Sequence, residues 1–209
     1  MRVVGIDGTK GGWVAVELEE GRFARDHLLR PETNPFQDLR DAAVLAVDIP
    51  IGFGPRRADG AARAFLAGAA STVFTTPTHE VLARPFGPGL GVSAQAHALG
   101  PRIVHVTALA ERDERIHEAH PEVSFRAMNR SAPLAHRKKS AGGVLERIAL
   151  LREHGIELRS LGAAASAPID DVLDAAACAW TAQRILTGNA RTFPDPPEVV
   201  DGRLVAIWY

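Results

Sequence analysis

The chain of 209 residues has a single cysteine, Cys178, so it carries neither a disulfide framework nor a cysteine-based zinc cluster. It has no apolar run long enough to span a bilayer. Its start lacks the charged-then-apolar layout of a secretory leader, and Asp7 stands where the apolar core of one would lie. The expected location is therefore the cytoplasm, away from membranes. Charge of one sign is also missing: 24 Lys and Arg against 25 Asp and Glu give a formal net charge of −1. That balance supplies no overall attraction for nucleic acid, so any such binding needs a local basic patch. Lysine is scarce, confined to Lys10, Lys138 and Lys139, and arginine carries the rest of the positive charge. The hydrophobic fraction of 46% is that of an ordinary soluble globule, and the length suits one domain or one domain with an insertion.

What the chain does have begins at its first strand. Val3-Val4-Gly5-Ile6 is β-branched among small residues, as in a strand buried on both faces, and it ends at Asp7. Gly8, Gly11 and Gly12 follow at once. An acid delivered to the end of such a strand is either a site carboxylate or the opening of an Asp-Gly hairpin turn. Trp13 to Leu18 and Phe23 to Leu29 read as second and third strands with short connections, which predicts an antiparallel meander. Asn34 can cap a short helix through Phe36 and Leu39. Val44 to Pro50 is another apolar strand, broken by Asp48 near its end. A helix before it favours a right-handed crossover, which lays this strand parallel to the first. Asp7 and Asp48 then project from one sheet edge, where open α/β sheets place their ligands.

Beyond Gly54, Ala58 to Ala70 reads as a helix, and Ser71 to about Val92 as a long irregular region of the kind that is functional or mobile. Ser93 can cap a helix that Pro101 interrupts, and Arg102 to Arg115 has no clear assignment. Ile116 to Phe125 reads as a strand whose proline marks an edge or a bulge. On that strand Glu118, His120 and Glu122 share a face. Helices are predicted over Gly143 to His154, closed by Gly155, and from Ile169 to Leu186, closed by Gly188. Pro194, Pro196 and Pro197 precede a final apolar piece, Leu204 to Tyr209.

Asp170, Asp171 and Asp174 open the last helix, with Asp171 and Asp174 on one face. Dipole compensation accounts for acids in a first turn, but the interleaved Val172, Leu173 and Ala175 predict a buried helix start, where carboxylates need a counter-charge. Carboxylates held together favour a shared cation or a raised pKa. Asp7, Asp48, Asp171 and Asp174 are oxygen donors suited to Mg2+ or Mn2+, in a two-metal phosphodiester site with ions ~3.5–4 Å apart. Glu118 joins them as a catalytic candidate. His120 and Glu122 are supporting candidates able to meet a metal or carry a proton, against the plainer reading of an exposed strand face. Lys138 and Lys139 are phosphate-binding candidates, with Arg56, Arg57 and Arg63 weaker ones; a solvated basic loop accounts for them equally well. Thr72, Thr75, Thr76 and His79 have no spacing that specifies chemistry, and Trp180 reads as core.

Taken together, Val4–Val16 (VGIDGTKGGWVAV), Val47–Gly54 (VDIPIGFG), His120–Phe125 (HPEVSF) and Asp170–Ala175 (DDVLDA) resemble domain-of-unknown-function family 429, described as predicted RNase H-like nucleases. Ala58-Asp59 with Ala62-Arg63, Ser71–Pro77, Lys138-Lys139 and Ala206–Tyr209 also resemble its pattern, so the likeness covers nearly the whole chain. It implies a single RNase H-like α/β domain over 1–209, with a mixed five-stranded sheet (an antiparallel meander, then parallel strands), flanking helices and an insertion at about 54–115 after the fourth strand. By that resemblance Asp7 and Asp48 match strand-borne metal ligands, and Asp171 and Asp174 the helix-borne acids of the resolvase branch. Glu118 has no clear counterpart there. The implied activity is metal-dependent hydrolysis of nucleic-acid phosphodiesters. One alternative is a non-catalytic or small-molecule-binding protein of the same fold. Another is an ATP-dependent phosphotransferase, since Asp7-Gly8-Thr9 resembles the phosphate loop of the actin, Hsp70 and sugar-kinase group. Such proteins carry two copies of the fold, and this chain has length for one. Nothing in the sequence specifies an oligomeric state.

Overall fold

The β-branched opening run forms β1 (Arg2–Thr9), which β2 (Gly12–Glu19) and β3 (Arg22–Leu29) extend as an antiparallel meander. The computed structural model describes residues 1–30, 36–200 and 202–209, so the predicted cap at Asn34 lies outside the described residues. β4 (Val44–Val47) pairs parallel with β1, and β5 (Ile116–Glu118) pairs parallel with β4. The sheet order is β3-β2-β1-β4-β5, a five-stranded mixed sheet with flanking helices that is consistent with an RNase H-like fold.

Between β4 and β5 the chain runs through α1 (Arg57–Leu66), two short helices, α2 (His79–Leu82) and α3 (Ala94–Ala98), and then α4 (Gly100–Ala110). Ser93 caps α3 by accepting from the Ala96 amide at 3.1 Å. Pro101 does not break a helix. It lies in the first turn of α4, where its missing N–H is not needed, and most of the unassigned 102–115 stretch is that helix. The strand expected over 116–125 ends at Glu118. Pro121 opens α5 (Pro121–Met128), so Glu118, His120 and Glu122 occupy a strand end, a connecting residue and a helix rather than one strand face. α6 (Ala141–Glu153) and α7 (Ile169–Leu186) follow. The proline-rich tail and last apolar piece form a separate antiparallel pair, β6 (Thr192–Val200) and β7 (Arg203–Trp208). Among the described residues no helix is long and apolar enough to cross a membrane.

Strand alternation divides the core into two layers. Val4, Ile6, Leu45 and Val47 pack with Ile103 and Val106 of α4 on one face. Val3, Val44 and Ala46 pack beneath α7 on the other. Gly5 shares the α7 face, and there the helix passes at contact distance. A Cβ on Gly5 would lie 2.0 Å from the Ala179 amide nitrogen and 2.1 Å from the Ala175 carbonyl oxygen. Ala175, Ala176, Ala177, Ala179 and Ala182 are all fully buried, and their small side chains let the helix settle this close. Because the opposing atoms are backbone, Gly5→Ala is expected to cost about 3 kcal/mol or more. Urea unfolding measures it, and a variant within about 0.5 kcal/mol of wild type would contradict this crossing.

Candidate metal centre and active site

The register of β1 and β4 brings the first two acids together. Ile6 pairs with Val47, so Asp7 and Asp48 are the next residues on adjacent parallel strands, and the Asp48 amide donates to the Ile6 carbonyl at 2.9 Å. By the same alternation that turns Val3 and Gly5 toward α7, Asp7 turns toward it as well. The helix supplies Asp174, one residue before the Ala175 that rests on Gly5. Asp7, Asp48 and Asp174 each offer an oxygen within 4.8 Å of the others. Asp7 and Asp174 are buried, 8% and 2% exposed.

Their charge is only partly answered. Lys138 Nζ donates to Asp174 Oδ2 and is the cation the cluster holds. Asp7 Oδ1 accepts from the Gly8 amide at 2.6 Å, and Asp174 Oδ1 is buried with no partner. Burial, reinforced by the charges of Asp48, Asp174 and Asp171, raises the Asp7 carboxyl well above the usual carboxylate range. Asp48 is pushed up to about 7 by burial, against the opposing pull of Lys138 and with the help of Glu118 and Glu122. Asp174 is likewise raised to about 7 by burial, opposed by Lys138 and reinforced by Asp48. Three converging hard oxygen donors, one of them orphaned, with one ammonium among them are what a divalent cation of the Mg2+ or Mn2+ type requires. The residues present fit such an ion.

Asp171 lines the same cavity one turn earlier on α7, outside the close triad, and its charge helps raise both Asp7 and Asp48. Lys139 is exposed and lies 3.5 Å from Asp170. The cavity, about 490 Å3, is walled in part by the segment between β4 and β5, including Thr72, Phe74, Leu99 and Arg102. Arg102 braces the β1–β2 turn by donating to the carbonyls of Thr9 at 2.6 Å and Gly12 at 3.1 Å.

Glu118 also faces this cavity, but its oxygens are committed. They accept from the Ile51 amide at 2.7 Å and from both terminal nitrogens of Arg56. Arg56 spends its remaining donors on Asp59 and the Ile51 carbonyl, so all five guanidinium N–H groups are used. That arginine cannot also serve a phosphate. Asp59 in turn accepts from the Thr76 amide and hydroxyl, each at 3.1 Å. This buried network pins the segment between β4 and β5 to the end of β5. The only sequence signal for it was the Arg56-to-Asp59 spacing of three residues at a helix start, which by itself specifies nothing.

Glu122 is bound by Arg147, one guanidinium nitrogen reaching its two oxygens at 2.7 and 2.9 Å. His120 Nε2 lies 3.3 Å from the Thr72 carbonyl, and Nδ1 is buried without a partner. Burial lowers the His120 pKa, so the ring is neutral at neutral pH. Thr72 and Thr76 thus acquire roles through backbone and hydroxyl contacts that their sequence spacing did not announce. A family model described as "Protein of unknown function (DUF429)" matches residues 5–199. No curated protein and no solved structure matches the chain.

An acid whose pKa folding raises binds its proton more tightly in the folded chain. Its stabilising contribution is full below the unfolded value of 3.8 and is lost as pH climbs through about 7. The metal-free protein is therefore expected to melt several degrees lower at about pH 8 than at about pH 5, with saturating Mg2+ or Mn2+ restoring most of the loss. A melting temperature flat across that range and indifferent to cation would contradict the cluster. Glu118→Ala, which leaves two buried Arg56 donors and the Ile51 amide unpaired, is expected to cost about 3–5 kcal/mol. Asp48→Asn relieves repulsion instead and is expected to hold or raise metal-free stability at about pH 8. Chemical denaturation of the two variants separates strut from site.

Proposed function

This chain belongs to the DUF429 family, and we propose that it is a metal-dependent nuclease hydrolysing phosphodiester bonds of nucleic acid. The observation that carries the reading is the convergence of Asp7, Asp48 and Asp174 at the carboxyl edge of two parallel strands, with less counter-charge than they need. Asp7, Asp48 and Asp174 would hold the ion, with Asp171 at the rim. A bound Mg2+ or Mn2+ would supply Lewis acidity at a phosphate oxygen and make a water acidic enough to attack at neutral pH.

The protein's own groups do the rest. With two of the carboxyls titrating at about 7, loading the site releases protons, so cation affinity rises steeply with pH. Asp174 would offer an ion its unpartnered Oδ1 while Lys138 stays on Oδ2. Lys138, lining the same cavity, would oppose the charge that builds on the phosphoryl oxygens. His120, neutral and lining the same cavity, accepts or returns the proton that the reaction moves. The Arg56 network keeps the walls from collapsing onto the acids.

The Lys138–Asp174 ion pair favours one second reading, a protein of this fold that binds a small anionic molecule without cleaving it. Cation titration by calorimetry separates the two, since that protein would take up no divalent ion at the acid cluster. For the nuclease, Asp7→Asn, Asp48→Asn and Asp174→Asn are each expected to lower Mn2+-dependent cleavage at least about 100-fold while the fold persists. The assay is a panel of single- and double-stranded DNA and RNA, and wild-type cleavage by Asp7→Asn would sink the assignment.

A further inference from the structure

We propose that a second cavity, opening from the acid cluster across Thr72, Glu122 and Lys138, holds an unpaired nucleotide that flanks the scissile phosphate. The inference rests on reading the acid cluster as a phosphodiester site. Ser71, Thr72, Glu122 and Lys138 line both cavities, so the two adjoin, and Lys138 stands where they meet with Asp174 within its reach. The second cavity measures about 560 Å3, a volume typical of small-ligand pockets.

The sign of the charge inverts between them. Carboxylates dominate the first cavity, whereas the second is lined by Arg126, Arg137, Lys138 and Arg147 with one carboxylate, Glu122. Arg147 already neutralises that carboxylate. Arg126 donates to the carbonyls of Leu66 at 2.8 Å and Ser131 at 2.9 Å, which orient the guanidinium without cancelling its charge. Arg137 is exposed, and its side chain has no hydrogen bond or ion pair among the described residues. A chain with net charge −1 thus keeps a local excess of cations directly beside the site where a phosphodiester would be cut.

The same cavity has apolar lining from Leu66, Ala69, Pro133 and Leu134. Cations beside aliphatic surface offer a nucleotide two complementary contacts, the cations to its phosphate and the apolar side chains to the face of its base. In a duplex the base faces are already stacked, so a base can cover these side chains only when unpaired. The occupant is therefore one strand of nucleic acid, continuous with the phosphate over the acids. Arg137 and Lys138 are consecutive, so one short loop would grip two successive parts of that strand.

The test is binding of a fluorescent single-stranded oligonucleotide of about eight nucleotides, as DNA and as RNA, followed by anisotropy in the presence of Ca2+. Wild type is expected to bind, and Arg137→Glu to weaken binding about tenfold or more and to lower the salt slope by about one. Arg137→Lys is expected to keep most of the affinity, and a duplex of the same sequence to compete poorly. An Arg137→Glu protein that binds like wild type, equal competition by the duplex, or no binding by wild type would each overturn the subsite. Cleavage is scored separately. Arg137-dependent binding that no divalent cation converts to cleavage leaves the subsite standing and removes the nuclease. Cleavage with an unchanged KM in Arg137→Glu removes the subsite and leaves the nuclease.

Discussion

The contact on which the structure depends is the passage of α7 over β1 at Gly5. With any side chain there, the helix would have to lift, because the atoms it meets are the backbone of Ala175, Cys178 and Ala179. Lifting the helix would carry Asp174 away from Asp7, since the acid immediately precedes the contact. The alanines of α7 answer the same constraint from the other side. Fold and site thus hang on one close approach: the packing that seals the core is the packing that brings a helix carboxylate to the strand carboxylates.

Electrostatics sorts the buried acids into two kinds. Glu118 and Asp59 are matched by Arg56 through its full set of donors, and Glu122 is matched by Arg147. These groups are satisfied, and their work is to hold the segment between β4 and β5, and α6, in place. Among the described residues Asp7, Asp48 and Asp174 share a single ammonium, and Asp174 Oδ1 has no hydrogen-bond partner. Burying like charges without compensation is costly unless protons or a cation complete the site. A fold that balances its other buried carboxylates so closely, yet leaves this cluster short, marks it as the place where something binds.

Legibility in the sequence followed the range of the interactions. The meander, the fourth strand and the last two helices were readable because strand alternation, glycine stops and helix caps act within a few residues. Asp7 and Asp48 were readable as a pair because a crossover makes parallel neighbours, although the described part of that crossover holds a 3-10 turn, Gln37–Leu39, where a short helix was expected. The region around Pro121 was misread for a local reason: a proline that would break a strand also starts a helix, and only the packing of α5 against α7 and α6 decides between them. Glu118 read in sequence as a catalytic candidate sharing a strand face with His120 and Glu122. Its commitment to Arg56, 62 residues away, has no local signature.

The sequence by itself determined the meander, the fourth strand, the two strand acids and the acidic start of α7, because each follows from patterns that neighbouring residues enforce. Tertiary structure alone decided which acids converge, which are locked in ion pairs, where Lys138 stands, and that a basic cavity adjoins an acidic one. Those outcomes depend on distances between segments far apart in the chain, and such distances are set by how closely a helix can approach a sheet.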